Sequence, residues 1–536
     1  MDRDLAVAAL RAREPWDLLV IGGGATGLGV ALDARTRGLH TLLVDQGDFA
    51  SATSSKSTKL IHGGVRYLPQ GRFGLVRQSL RERAILLRNA PDLVRPQSFL
   101  VPAAGALEGH ALRTGLWIYE LLERLAGDAD RSAAGVRGRS AAADRGRSGA
   151  DARSAIIHDR AVAVLPHPSR VSAEDLERSL PNLVRGRFSS AFRYFDAQFD
   201  DAGLALRLAQ VFVAHGGIAL NYARVERLIP RSGQIRGAVI RDLETDQETE
   251  VGARCVVNAA GIFVDSIRRM DDPALPPLLA HSRGSHLVLD LDFLTAPAGA
   301  ECHDRAQDAL VIPRTTDGRV LFAVPWSRHL LVGTTDIPVG DADPDPRATE
   351  PEIEFLLQEL GRYLRRAPGL GDVRSTFAGI RPLLQGATND TPTKRIAREH
   401  RLELSARGLL TIAGGKWTTY RLMAAHTVDR VLEIGGIEAR PCVTATLPLR
   451  VEDQVCDTDR VDRTMVQFAV RQQMARTVED VLARRSRCLL LDVRQALGLA
   501  EPVARWMAEE LDRDDSWIDA QVATFDRAAA RYLPPR

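Results

Sequence analysis

Three glycines and one acid near the start of the chain are spaced to hold a phosphorylated dinucleotide. Gly22, Gly24 and Gly27 stand in G-x-G-x-x-G register, and Asp45 follows after a helix-length interval. Gly22 permits the tight turn, Gly24 lets a pyrophosphate approach the backbone, and Gly27 lets a helix pack closely on a strand. Asp45 stands where a carboxylate accepts a hydrogen bond from a ribose hydroxyl. This chemistry needs a strand, a turn, a helix and a second strand, in that order. The apolar run Leu18–Ile21, the helical pattern from Leu28 to Arg37 stopped by Gly38, and the run Thr41–Val44 supply them. The helix start would face the phosphates with its free N–H groups and positive dipole end. A glycine triplet alone is weak evidence; the whole β-α-β pattern is strong.

Residues 408–420 repeat this logic. A buried strand from Leu409 is followed by Gly414-Gly415-Lys416 and a helix start carrying Thr418 and Thr419 as caps. Residues 254–261 form another apolar strand that ends in small residues at Gly261, which suits close backbone approach to a ligand. A doubly wound domain can therefore be assembled from pieces at both ends of the chain.

At 536 residues the chain should hold more than one domain. A net charge of +2 excludes a strongly basic nucleic-acid surface. The five cysteines form no C-x-x-C pair and have no histidine at zinc spacing, which predicts a reducing compartment and no metal site. The first ten residues lack a signal-peptide core, and no apolar run reaches the roughly 18 residues of a membrane span. The predicted location is cytoplasmic, with at most surface contact to a membrane.

Further along, the stretch from Phe49 to Lys59 is a hydroxyl-rich loop containing Ser54, Ser55 and Ser57. Helical spacing runs from about Arg72 to Asn89 and around residues 112–125. Residues 126–155 shift to Ala, Arg, Gly, Ser and Asp, a composition that reads as a mobile insertion. An amphipathic helix is predicted over 202–215, and a strand over 223–228 carries Val225. Residues 281–340 are β-rich without long helices, which predicts a separate antiparallel sheet. From about Val461 the chain reads as charged and helical. The predicted layout is a discontinuous dinucleotide-binding domain (1–100, 200–275, 375–435), a substrate domain (101–199, 276–374) and a helical C-terminal domain (440–536).

Five motifs carry a resemblance to a known family. They are residues 52–68 ending in His62-Gly63-Gly64-Val65-Arg66-Tyr67-Leu68, Gly284-Ser285-His286-Leu287, Gly379-Ile380-Arg381-Pro382-Leu383, Arg398-Glu399-His400, and residues 414–421 from Gly414 to Arg421. Over most of its length the chain resembles the FAD-dependent glycerol-3-phosphate dehydrogenases, within the D-amino-acid-oxidase-like flavoproteins. The family pattern is Asp-Asp-Ala-Arg-Leu where this chain has Gly203, which leaves any contact of that arginine in question.

The resemblance implies an α/β fold: a Rossmann-like FAD-binding domain, an antiparallel-sheet substrate domain and a helical C-terminal cap. It implies oxidation of sn-glycerol 3-phosphate to dihydroxyacetone phosphate by hydride transfer to FAD, with electrons passed to a membrane quinone, and it allows a homodimer. Gly22, Gly24, Gly27, Asp45, Ser54, Ser55, Ser57, His62, Val225, Gly261, Gly415 and Thr418 are the implied FAD-binding residues. Arg66, Arg381, Arg398 and Lys416 are implied cations for the substrate dianion, which arginine forks suit well, and Tyr67 adds a hydroxyl. His286 is the implied proton acceptor, with His62 its competitor. Rival readings are a glycerol-3-phosphate oxidase that uses oxygen, a flavin amine oxidase, and a flavin-binding sensor. Contact with a membrane surface would fall on residues 112–125, where Leu112, Leu116, Trp117, Tyr119, Leu121, Leu122 and Leu125 are flanked by Arg113 and Arg124. The same apolar spacing also suits a helix buried in the substrate domain.

Overall fold

The computed structural model describes residues 1–12, 15–143, 165–295, 308–385, 399–451 and 460–535, without the side chains of 66, 69, 106 and 127–143. Its organising element is a parallel sheet in the order Leu409–Gly414, Glu248–Asn258, Trp16–Ile21, Thr41–Val44, Ile218–Leu220, with His400–Leu404 antiparallel on the outer edge. Leu18, Leu19 and Val20 are fully buried, in one core with the flanking helices and the hairpin residues Val225, Leu228 and Ile240, as a continuous apolar run requires. The helix Ala25–Thr36 packs on Tyr420–Gly435; a Cβ at Gly29 would come within 2.8 Å of the Tyr420 ring. The hairpin Ala223–Arg231/Gln234–Asp242 joins through the start of Glu248–Asn258.

Among the described residues the second sheet has ten strands. Near one end of it, Leu279–Asp290 pairs antiparallel with His329–Gly333 and, over ten positions, with Ser375–Leu384. Leu287 and Leu289 point to one face, against the helix Glu350–Gly361. Val288 and Phe377 point to the other, against the C-terminal helices. Those helices include Arg463–Gln473, Val493–Leu511 and Asp515–Ala529, as the charged helical pattern predicts.

Three expectations change. The strand Ser375–Leu384, expected in the dinucleotide-binding domain, belongs to the second sheet, because its full-length pairing with Leu279–Asp290 satisfies its backbone there. The second sheet also takes Val94–Ala103 and Ser190–Phe199, and its Ala309–Ile312/Val94–Ala103 pair is parallel, so it is mixed rather than purely antiparallel. Residues 126–143 continue the helix Ala106–Ala143, as alanine and arginine, both strong helix formers, favour. The rest of the expected insertion, 144–155, lies outside the described residues.

Candidate active site

A cavity of about 710 Å³ lies at the carboxyl ends of the parallel strands, lined by Gly22, Asp45, Ala259 and Gly415 immediately beyond four of them, and by Gly261. Ligands of open α/β sheets bind at this position. Gly24, Ser54 and Val225 also line it. Gly22 adopts φ +114°, and a Cβ there would lie 2.5 Å from the Ala259 carbonyl oxygen. Gly27 sits beneath, where a Cβ would overlap the Gly22 carbonyl oxygen. Asp45 accepts the Gly23 N–H at 2.5 Å and the Gly47 N–H at 2.8 Å. Burial nevertheless pushes its carboxyl up to about 6, against the opposing effect of these N–H groups. Gly24, at the N-cap of Ala25–Thr36, has no side chain to cap the helix, and Ser54 Oγ does so from outside by accepting the Ala25 N–H at 3.0 Å.

The rest of the hydroxyl loop ties the two sheets together. Thr53 Oγ1 donates to the Ile380 carbonyl at 2.7 Å, and the Ser54 carbonyl accepts Trp417 Nε1 at 2.9 Å. Ser57 Oγ donates to Asp201 Oδ2 at 2.7 Å. Ser55 is buried, and its carbonyl accepts Lys59 Nζ, which also pairs with Asp201 at 2.5 Å. Ser55 and Ser57 therefore brace the loop from within; among the described residues neither lines the cavity. Thr53, Thr58, Lys59 and Asp201 escaped the sequence reading, although the density of hydroxyls flagged their loop.

Cross-strand register builds the surface that meets the hydroxyl loop; among the described residues neither Arg381 nor His286 lines the cavity itself. Ser282 pairs with Arg381, Gly284 with Gly379 and His286 with Phe377, so all six side-chain positions share one face. The glycines make room: a Cβ at Gly284 would strike the Arg381 guanidinium, and one at Gly379 would lie 2.9 Å from the Lys56 carbonyl oxygen. Arg381 donates to Thr334 Oγ1 at 3.0 Å and the Thr335 carbonyl at 3.1 Å, and lies 3.5 Å from Asp336. His286 is 2% exposed and stacks on Phe377 at 4.7 Å. Its Nε2 meets Thr58 Oγ1 at 2.9 Å, and Nδ1 has no hydrogen-bond partner among the described residues. Burial, then the positive Arg381 and Lys59, hold the ring well below the ordinary 6.5, so it is neutral near pH 7.

Lys416 lines the cavity and places Nζ 4.4 Å from the centre of the Tyr67 ring. Thr418 is buried behind it, and His62 lies on the Gly63-Gly64 turn; among the described residues both lie outside the lining. The Arg66 side chain and all of Arg398 lie outside the described residues.

The C-terminal domain reaches the same cavity, which its helical pattern alone did not signal. Thr477, Arg484 and Thr524 line it. Arg484 Nε donates to Asp48 Oδ2 at 2.5 Å and Arg485 Nη2 to Asp48 Oδ1 at 3.0 Å. Burial would raise the Asp48 carboxyl, but the two guanidiniums outweigh it and hold it below the usual range. The departure at Gly203 also has a structural counterpart: a Cβ there would meet Arg487 Nη2 at 2.5 Å, and Arg487 Nε donates to Asp200 at 2.8 Å. A cation from the C-terminal domain thus covers the position where the family pattern has an arginine.

Residues 17–421 match the FAD dependent oxidoreductase family, and residues 425–517 match the C-terminal domain of alpha-glycerophosphate oxidase. A mitochondrial glycerol-3-phosphate dehydrogenase of Saccharomyces cerevisiae is 35% identical over 83% of this chain and 68% of its own length. This chain belongs to the FAD-dependent glycerol-3-phosphate dehydrogenase family. A probable mitochondrial glycerol-3-phosphate dehydrogenase of Caenorhabditis elegans is 38% identical over 81% of the chain, which spans 55% of that relative. A Bacillus halodurans glycerol-3-phosphate dehydrogenase, solved with FAD, superposes with a TM-score of 0.73 and 26% identity, covering 99% of this chain and 98% of that one. As in its dehydrogenase family, the cofactor is FAD. The glycine cradle, the Asp45 acceptor and the cavity at the strand ends fit it.

Proposed function

We propose that this chain oxidises sn-glycerol 3-phosphate to dihydroxyacetone phosphate and passes the electrons through FAD to a membrane quinone. Bound FAD supplies the hydride acceptor. The observation that carries the reading is the register that sets Arg381 and His286 on one face, against the loop that caps the dinucleotide helix. In this reading the Arg381 fork binds the substrate phosphate. Its orientation by Thr334, Thr335 and Asp336 is in place beforehand, so little rotamer freedom is lost on binding. Arg66, Arg398 and Lys416 add positive charge, and Tyr67 a hydroxyl.

His286 accepts the proton of the C2 hydroxyl. With Nε2–H donating to Thr58 Oγ1, Nδ1 keeps the free lone pair that general-base catalysis requires. Ser54 and the start of Ala25–Thr36 hold the pyrophosphate, Asp45 the ribose, and the helix start after Gly415 the electron-rich edge of the reduced ring.

The quinone reading places the protein peripherally on the cytoplasmic face of a membrane. Among the described residues no helix is long and apolar enough to cross a membrane. The helix Ala106–Ala143 has two faces. Leu116 and Tyr119 are buried, and Leu112 and Leu122 pack against the core, so these four drop out of the expected membrane surface. Leu107, Trp117, Leu121 and Leu125 are exposed beside Arg113 and Arg124, a combination that suits an anionic bilayer surface. The test is co-sedimentation with anionic liposomes alongside parallel assays of quinone reduction and hydrogen peroxide. Bound protein that reduces quinone supports the reading. Protein left in the supernatant that makes stoichiometric peroxide would establish the oxidase instead.

A further inference from the structure

Behind the sheet face that carries Arg381 and His286, one buried carboxylate gathers an unusual number of donors. Glu352 is 5% exposed and stands in the first turn of Glu350–Gly361. Its Oε2 accepts the Thr349 N–H at 3.0 Å and Thr349 Oγ1 at 2.7 Å, and pairs with Arg283 at 2.9 Å. That oxygen completes the helix cap. Capping does not need Oε1, which turns instead into the sheet and accepts Thr335 Oγ1 at 2.7 Å and Ser285 Oγ at 2.9 Å. Thr335 Oγ1 in turn accepts the Ser285 N–H at 2.9 Å. Ser285 immediately precedes His286, and the carbonyl of Thr335 is one of the acceptors that orient Arg381.

We propose that Glu352 is a positioning residue for the substrate's phosphate: from the back of the sheet it fixes the segment Thr334–Asp336, and that segment aims Arg381. The inference rests on the reading that Arg381 binds the phosphate. The physical argument is one of leverage. Thr334, Thr335 and Asp336 follow the strand His329–Gly333 and precede Ile337–Val339, so no continuous ladder holds them. On the side away from Arg381, Thr335 Oγ1 donates a charge-assisted bond to this buried carboxylate, while Ser282 Oγ donates to Asp336 on the other side. In Glu352→Gln the amide supplies one acceptor oxygen where two are in use, so either the cap or the Thr335 tether is lost.

The experiment measures glycerol 3-phosphate affinity and limiting rate separately, by anaerobic rapid mixing of the FAD-loaded protein, with inorganic phosphate as a competing ligand. Glu352→Gln is expected to weaken both glycerol 3-phosphate and inorganic phosphate by about tenfold or more, with the limiting rate of flavin reduction within about threefold of wild type. Should Glu352→Gln fail to fold, Thr335→Val removes the same bond from the other end. It is expected to show the same affinity loss, while Thr335→Ser, which keeps the hydroxyl, behaves as wild type. In an Arg381→Ala background Glu352→Gln should add nothing, because the two act through one guanidinium. If Arg381→Ala weakens phosphate binding but Glu352→Gln and Thr335→Val do not, the phosphate reading stands and the role of Glu352 is refuted. If Arg381→Ala leaves affinity unchanged, the phosphate reading itself fails, and this inference with it.

Discussion

Replacing His286 by glutamine removes a base while leaving a polar side chain beside Thr58 Oγ1. Loss of a general base costs about 10²–10⁴-fold in rate, or roughly 2.7–5.5 kcal/mol of transition-state stabilisation. The fold should survive, because the ring's stacking on Phe377 at 4.7 Å is worth only about 0.5–1.5 kcal/mol. The pH dependence is the sharper readout. Burial, Arg381 and Lys59 hold the His286 ring well below 6.5, so it stays neutral on both sides of that value. Wild-type flavin reduction should therefore stay level as pH falls through 6.5 and decline only at distinctly lower pH. Stability follows the same sign. A depressed histidine contributes stability above the unfolded value near 6.5, and this is lost as pH falls from there toward the folded value. His286→Gln should remove that acid sensitivity. The assay is anaerobic rapid mixing with glycerol 3-phosphate from pH 5 to 8, at roughly unit steps around the histidine range. Wild-type reduction rates in His286→Gln would refute the assignment and pass the role to His62 or a bound water.

Three further outcomes follow from the geometry. Gly27→Ala drives a Cβ into the Gly22 carbonyl oxygen, so the purified variant should lack FAD and melt earlier than wild type; normal FAD content would show that the turn can shift at no cost. FAD affinity of the apoprotein should fall as pH drops through about 6, because ionised Asp45 accepts the ribose hydroxyl more strongly than the protonated acid does, and Asp45→Asn should flatten that profile in fluorescence titrations. Trp117→Ser with Leu121→Ser removes exposed apolar surface only, so liposome sedimentation should drop sharply while activity with a soluble dye acceptor persists; retained sedimentation would move the membrane surface elsewhere.

The dinucleotide half of the site was legible because its requirements are local. A glycine that must take φ +114°, or that must admit a carbonyl at Gly27, writes itself into the sequence at fixed spacing, and Asp45 follows at the end of the next strand. The facing half was legible only as motifs. That Arg381 and His286 share a face depends on pairing between strands about a hundred residues apart in sequence, which local pattern cannot give. The hydroxyl loop was legible as a loop, but which of its hydroxyls reach the cavity was not. Ser54 caps the helix and lines the cavity, whereas Ser57 turns to Asp201, and only tertiary packing separates them. The arginines at 484, 485 and 487 read as an ordinary charged helix. Their burial against Asp48 and Asp200 comes from domain docking and has no periodic signature.

The central claim is that this cavity and the face opposite it bind FAD and glycerol 3-phosphate together. The most direct test is the visible absorption spectrum of the purified, FAD-loaded protein, recorded without oxygen before and after adding glycerol 3-phosphate. The flavin band should bleach in wild type, persist on adding glycerol, which lacks the phosphate, and persist in Arg381→Ala at the same concentration of glycerol 3-phosphate. A flavin band that glycerol 3-phosphate leaves unchanged in the wild-type protein would contradict the account.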